Sequence, residues 1–136
     1  MNFYNPEIKD IKILWVWGLN ELTKIHKINK YINNHSEIYG NTINSIYYDG
    51  LNWIGIGTAQ IAIYNNFRTK HLNYYEMLDF IDNEIHELRT KDGMVKNNYK
   101  LIIFNTIEKP RYIYENIDFE RKFYELFNKL KIYECN

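Results

Sequence analysis

The segment Asn73–Gly93, NYYEMLDFIDNEIHELRTKDG, constrains the fold most, because it carries the start, period and stop of an amphipathic helix. Asn73 is a favourable N-cap, and Glu76 three residues later completes a capping box. Gly93 suits a left-handed helix stop. Apolar residues recur between them at helical spacing, at Tyr74, Met77, Leu78, Ile81, Ile85 and Leu88. We therefore predict one helix over this segment, with the rest of the chain packed around it.

The opposite face of this predicted helix is acidic and carries one aromatic residue. Phe80 lies between the edge of the apolar stripe and five polar side chains that project away from it: Glu76, Asp79, Asn83, His86 and Glu87. Interface cores favour aromatic anchors, and acidic surroundings attract basic partners. The pattern predicts a partner-binding surface made of Glu76, Asp79, Phe80, Asn83 and Glu87. The alternative is a solvated face whose Phe80 lies under a neighbouring loop.

Composition limits the class of protein. The 136 residues predict a single α+β domain over 1–136, large enough for its own core. The formal net charge is zero, so we expect neither nucleic-acid binding nor attraction to an anionic membrane. No transmembrane run or signal peptide is evident, and Cys135 is the only cysteine, which together predict a cytoplasmic location. Abundant Ile, Asn, Lys and Tyr indicate an AT-rich, bacterial or phage genome.

The first half of the chain predicts one strand, one helix and a hairpin. Residues 11–17 alternate as a strand, although a helix from Pro6 to Asn34 competes for residues 8–17. Residues 19–33 form a helix in either case, with an apolar stripe of Leu22, Ile25, Ile28 or Asn29, and Ile32. Asp49-Gly50 between residues 43–48 and 51–56 is typical of a tight β-hairpin. Residues 60–65 predict a further strand.

The second half predicts two strands and a last helix. Residues 100–106, KLIIFNT, form an interior strand, residues 111–116 return after a turn at Pro110, and Asp118 caps a helix whose stripe ends at Leu130. The tail 132–136 is expected to be frayed. The predicted order is β-α-βββ-α-ββ-α, a mostly antiparallel sheet of about five to six strands packed against two or three helices.

Motifs that carry chemistry are weak. Gly55-Ile56-Gly57-Thr58-Ala59-Gln60 begins like a dinucleotide loop, but position 60 is Gln and no helix pattern follows. Asp79, Asp82 and His86 have the spacing of metal ligands on one side of a helix, a pattern that exposed helices often show by chance. His35 and His71 lie near polar loops and are candidates for an acid–base pair. We expect no catalytic residues, no metal and no cofactor.

The aromatic residues allow two further interpretations beside ordinary half-buried packing. Tyr47, Tyr48 and Trp53 flank the Asp49-Gly50 turn and are candidates for an exposed recognition patch. Alternatively, Trp53, Tyr47 and Tyr64 line an apolar cavity for a small ligand.

The absence of catalytic motifs favours a non-catalytic protein-binding inhibitor. The hypothesis is a bacterial immunity protein or antitoxin that neutralises a basic toxin or nuclease domain through the acidic face around Phe80. The alternatives are a phage-encoded inhibitor of a host defence protein, a small hydrolase or ribonuclease-like enzyme that uses the loop histidines, and a small-ligand-binding domain.

Overall fold

The apolar runs of the chain form the interior strands of a parallel sheet. The computed structural model describes residues 11–81, 87–110 and 130–136. The helices in these ranges are α1 (Glu21–Asn34), α2 (Ser36–Tyr39) and α3 (Tyr74–Ile81), with a 3₁₀ turn at Thr69–His71. The strands there are β1 (Lys12–Trp17), β2 (Ile43–Ser45), β3 (Tyr47–Tyr48), β4 (Trp53–Ile54), β5 (Ile61–Phe67), β6 (Glu87–Thr90), β7 (Gly93–Lys96), β8 (Leu101–Thr106) and β9 (Leu130–Glu134).

Within the described ranges, five strands make up the central sheet in the order β2-β5-β8-β1-β9, and every pair is parallel. On β1, Ile13 lies opposite Ile102 on one side and Leu130 on the other. Interior strands of a parallel sheet are covered on both faces and are therefore apolar throughout. All six residues of β8 are buried, as this arrangement requires.

Two cores lie on the two faces of the sheet, because successive side chains of a strand point to opposite sides. Leu14 and Val16 of β1 pack on what we call the α1 face, against α1 residues that include Ile28 and Ile32. Ile13 and Trp15 belong to the α3 face. That face is covered by α3 and by residues of the β3–β4 and β6–β7 hairpins, among them Met77, Phe80, Trp53 and Leu88.

The predicted antiparallel sheet is wrong. The prediction rested on short turns between consecutive strands, which do occur at β3–β4 and β6–β7. Those hairpins pair only within themselves among the described residues and lie beside the central sheet. Strand β2, which we expected to be part of a hairpin, pairs parallel with β5 instead. A short turn therefore identifies a hairpin but does not show that the hairpin belongs to the main sheet.

The predicted helix over 73–93 is correct at its start and wrong at its end. The Asn73 amide donates to Glu76 Oε1 at 2.8 Å, and the Glu76 amide donates to Asn73 Oδ1 at 2.8 Å, so the capping box is confirmed. Helix α3 extends from Tyr74 to Ile81, and residues Glu87–Thr90 form strand β6 and not a continuation of the helix. Thr90 Oγ1 donates to the Gly93 carbonyl at 2.7 Å across a tight turn. Gly93 thus serves a hairpin, and not the helix stop that its position predicted.

Other sequence predictions have mixed outcomes. The strand at 11–17, the helix at 19–33 and the interior strand at 100–106 are confirmed. The hairpin at Asp49-Gly50 is confirmed with shorter strands, and Asp49 Oδ1 accepts the amides of Leu51 and Asn52 in a longer turn than expected. The predicted strand 111–116 and the body of the last helix lie outside the described residues.

The C-terminal tail is not frayed. Leu130, which we assigned to a helix, begins strand β9, and this strand pairs parallel with β1. Cys135 is buried on the α1 face, and its amide donates to the Trp17 carbonyl at 2.7 Å. Among the helices of the described ranges, none is both long enough and apolar enough to cross a bilayer.

Candidate functional site

The carboxyl ends of β1, β5 and β8 meet at one edge of the sheet. In open sheets of parallel strands, ligands bind outside this edge. Four polar side chains converge there on the α1 face, and we call them the carboxyl-edge cluster: Glu21, Lys24, Asn65 and Asn105.

Lys24 anchors the cluster from the first turns of α1. It continues the inward stripe of Ile28 and Ile32 towards the start of the helix, and it is only 2% exposed. Its Nζ donates to the Thr106 carbonyl at 3.3 Å and lies 3.1 Å from Glu21 Oε2. A buried ammonium is tolerated because these oxygens replace its water.

The predicted apolar stripe of α1 is correct only in its second half. Ile28 and Ile32 are buried, but Leu22 is 81% exposed and Ile25 is 44% exposed. Lys24 occupies the inward position that the sequence pattern assigned to apolar neighbours. The long apolar stem of lysine makes this possible, since it can line a core while its charged end reaches a polar edge.

Asn105 connects the cluster to the middle of the sheet. Its Nδ2 donates to Glu21 Oε1 at 3.1 Å and to Asn65 Oδ1 at 3.0 Å. A carboxylate only accepts hydrogen bonds, so the Asn105 amide must present its nitrogen to Glu21. Asn105 Oδ1 is buried and has no hydrogen-bond partner among the described residues. Such an orphaned acceptor is uncommon in folded proteins and often marks a functional position.

A bulge in β5 brings Asn65 to this position. Tyr64 pairs with Phe104 and Phe67 pairs with Thr106, so Asn65 and Asn66 together oppose Asn105. Asn66 has a φ of +56°, the left-handed conformation that asparagine tolerates better than most residues. Bulges often re-aim a side chain beside a functional site. This bulge gives Asn105 a second partner.

The hydrogen bonds of the cluster control the charge of Glu21. The Lys24 ammonium, followed by the Asn105 amide, donates to the carboxylate and holds its pKa below the ordinary value. Glu21 is therefore ionised at neutral pH, where it accepts hydrogen bonds and attracts cations. Its side chain is 53% exposed, so the charged oxygens of this carboxylate are accessible to a partner.

Two leucines border Glu21. Leu19 precedes the N-cap Asn20, and Leu22 follows Glu21; each leucine is 81% exposed. Leu22 and Ile25 are three residues apart on α1 and are therefore surface neighbours, and Leu19 lies in the segment just before the helix. We call Leu19, Glu21, Leu22 and Ile25 the α1 surface.

The interface predicted on α3 is not assembled as expected. Phe80, the proposed anchor, is completely buried and stacks on Trp53 with ring centroids 4.3 Å apart. Glu76 lies at the capping box and Asp79 is exposed on α3, whereas Glu87 lies on strand β6. Asn83 lies outside the described residues. Phe80 therefore belongs to the core and is not an exposed anchor, whereas partner binding by the other four residues stays a prediction.

The histidine pair is not brought together. His35 stacks on Tyr31 on the α1 face, with centroids 4.1 Å apart. His71 packs against Tyr64 and Phe67 on the α3 face. The central sheet lies between the two rings, so a shared acid–base site is not formed.

The predicted metal trio and aromatic surfaces have separate outcomes. Asp82 and His86 lie outside the described residues, and the described residues contain no group of three potential metal ligands. Trp53 is buried and in contact with Phe80, while Tyr47 is half exposed. Trp53 is therefore not part of an exposed patch, while the apolar ligand cavity stays a prediction.

The sequence did contain weak signals for the carboxyl-edge cluster. Asn65 and Asn105 each follow an apolar strand run, at the point where a parallel strand would end. Because we predicted an antiparallel sheet, we did not expect these two asparagines to lie at the same edge of it. Neither a scan of protein-family models nor a search of curated proteins finds a match to the chain.

Proposed function

We propose that the chain is a non-catalytic inhibitor, of the immunity-protein or antitoxin kind, that binds a basic protein partner through the α1 surface. One observation carries this proposal: the Glu21 carboxylate is held by two hydrogen bonds, and the leucines two residues before it and one residue after it, Leu19 and Leu22, are each 81% exposed. The site of action that we propose is the cytoplasm, where a single unpaired cysteine is common.

The geometry of Glu21 suits the recognition of an arginine or lysine side chain. The affinity of a complex is lower when a flexible side chain must be ordered at the interface, because its conformational entropy is lost on binding. Lys24 and Asn105 already order Glu21 in the free protein, so less entropy is lost on binding. The surrounding leucines can exclude water from the new ion pair, as residues around interface hot spots do.

The leucines add an apolar component that a purely electrostatic surface lacks. Single exposed hydrophobic residues are common, but neighbouring leucines at this exposure, next to a preorganised charge, are typical of an interaction site. A basic toxin or nuclease domain offers a complementary surface, with cationic groups for substrate phosphate beside apolar residues. A phage-encoded inhibitor of a host protein would use the same surface, and the identity of the partner distinguishes the two.

The first experiment captures partners with the tagged chain from cells that carry its gene, and then measures affinity for the purified partner. We expect Leu19→Ser/Leu22→Ser to weaken binding about tenfold or more, since each hot-spot leucine contributes about 1 kcal/mol or more. Leu51→Ser is the matched control, because Leu51 is 55% exposed on the β3–β4 turn. Addition of the chain should also abolish the activity of the partner.

A second set of variants separates the α1 surface from α3. Glu21→Gln keeps the shape of the side chain and should reduce both the affinity and its dependence on salt. Asp79→Lys reverses an exposed charge on α3 and should leave binding unchanged. The proposal fails if the leucine variant binds like the wild type, or if only Asp79→Lys weakens the complex.

A further inference from the structure

A concave site lies at the edge of the sheet opposite the carboxyl-edge cluster. A cavity of about 430 Å³ opens beside the amino ends of β5 and β8. This volume is within the range of pockets that hold small molecules. We call it the amino-edge cavity; its polar lining includes Thr58, Gln60, Lys96, Asn98 and Lys100.

The amino-edge cavity is positively charged. Lys96 comes from β7 and Lys100 from the residue before β8, and the described lining contains no aspartate or glutamate. Within the part of the chain that the structure describes, neither lysine forms an ion pair. Glu87 lies opposite Lys96 in the β6–β7 pair without forming an ion pair with it, so the two lysines still give the cavity lining a net positive charge that favours an anionic ligand.

A network of hydrogen bonds holds one wall of the cavity in place. Tyr99 is 3% exposed, and its hydroxyl donates to Asn44 Oδ1 at 2.9 Å and accepts the Gly57 amide at 3.2 Å. Asn44 Oδ1 also accepts the Ala59 amide at 3.2 Å. The turn over residues 57–60 is thus tied down at two points.

The same wall packs Gly57 closely against Asn44 and has two backbone amides without an acceptor in the described ranges. A Cβ on Gly57 would lie 2.8 Å from Asn44 Nδ2, so a larger residue there would displace the Asn44 side chain that bonds Tyr99 and Ala59. The backbone amides of Thr58 and Gln60 find no acceptor in the described ranges. Free amides near lysines are the donors with which many proteins hold phosphate groups.

We propose that the amino-edge cavity binds a small phosphorylated molecule. Its phosphate would lie between the two lysines and the turn over 57–60. Ile56 and Val95 complete the lining and suit the uncharged remainder of the ligand. The site is independent of the α1 surface, and it differs from a dinucleotide fingerprint because the turn precedes a strand and does not lead from a strand into a helix.

The test is a titration of the isotope-labelled protein followed by NMR, with inorganic phosphate, adenosine monophosphate and acetate as probes. We expect saturable shifts of the Thr58, Gln60 and Lys100 amides with both phosphate compounds, tighter binding of the nucleotide, and little response to acetate. Lys96→Gln and Lys100→Gln should each weaken phosphate binding about tenfold, the effect of one lost charge-assisted hydrogen bond.

Lys91→Gln is the matched control, because it removes the same charge from the exposed turn between β6 and β7, outside the cavity lining. The proposal is overturned if neither phosphate compound produces saturable shifts in the millimolar range. It is equally overturned if Lys91→Gln weakens binding as much as the cavity variants, or if acetate binds as well as phosphate.

Discussion

Lys24 is buried on α1, and its Nζ lies 3.1 Å from the carboxylate of Glu21 in the preceding turn, whose side chain is 53% exposed. The pair joins the interior of the α1 face to the surface. The lysine fixes the position and the charge of the glutamate, and the glutamate supplies the counter-charge that a buried ammonium needs. Stability and binding are therefore linked at this point of the molecule.

This link predicts non-additive effects on stability. Glu21→Gln should lower the free energy of unfolding by about 1 kcal/mol, a value reduced from that of a fully buried pair because Glu21 is half exposed. Lys24→Met fills the same apolar space without a charge, and in that background Glu21→Gln should cost much less. Urea denaturation of the four proteins measures the coupling. An equal cost of Glu21→Gln in both backgrounds would show that the pair is not coupled.

Gly18 at the end of β1 should tolerate no side chain. Its φ is +136°, and a Cβ would lie 1.9 Å from the carbonyl oxygen of Cys135. Gly18→Ala combines backbone strain with a clash between main-chain atoms, so we expect a loss of about 3 kcal/mol or more.

The matched control for Gly18 is Gly50→Ala. Gly50 has a φ of +99°, but a Cβ there would meet no atom within 4 Å. We therefore expect a smaller loss, about 1 kcal/mol. Thermal unfolding of both variants measures the difference, and equal losses would mean that the contact with Cys135 is not what requires glycine.

Phe80 should behave as a core residue. It is completely buried between Trp53 and Phe104, so Phe80→Ala should cost about 3–5 kcal/mol of stability. Asp79→Ala, one residue away on the exposed side of α3, should change stability by no more than about 0.5 kcal/mol. Chemical denaturation of the two variants measures these losses. A small effect of Phe80→Ala would contradict its place in the core.

His71 should make stability depend on pH in the acidic range. Burial, followed by the positive charges of Lys70 and Arg68, lowers its pKa below the ordinary 6.5, although Glu108 opposes this shift. Its Nδ1 accepts the Arg68 amide at 3.2 Å, a bond that protonation at this atom would break. The unfolded chain takes up the proton first as the pH falls, so this contribution is complete above pH 6.5 and is lost below it.

His71→Asn isolates this effect, because the asparagine oxygen can accept the same amide but does not titrate. The difference in unfolding free energy between wild type and variant should decline from pH 7 towards about pH 5. Other groups titrate equally in both proteins and cancel in the difference. A difference that stays constant across this range would exclude His71 as the source of the pH dependence.

Local features were predictable because the interacting residues are close in sequence. Asn73 and Glu76 of the capping box are three positions apart, and both of their hydrogen bonds form as expected. The prediction for the C-terminal end of the same segment was wrong. Leu88 suits an inward position on a helix or on a strand, and Gly93 suits a helix stop or a hairpin turn. Where one pattern satisfies two local structures, packing decides between them.

The carboxyl-edge cluster could not be predicted from local sequence patterns, because its residues are far apart in the chain. Asn105 is separated from Glu21 by 84 residues and from Asn65 by 40. These side chains meet only because β1, β5 and β8 are parallel neighbours. The amino-edge cavity depends in the same way on Tyr99 reaching Asn44, 55 residues away.

From the sequence alone, local spacing and capping groups predicted the strands at 60–65 and 100–106, the helix at 19–33 and the capped start of α3, and favoured a strand over a helix at 11–17; the observed elements are 61–67, 101–106, 21–34 and 12–17. The tertiary structure alone decided that these strands run parallel, that Lys24 turns inward while Leu22 turns outward, and that Phe80 is core. The physical reason is that strand partners and buried faces are selected by the total apolar area removed from water, which depends on the whole chain and not on any one segment.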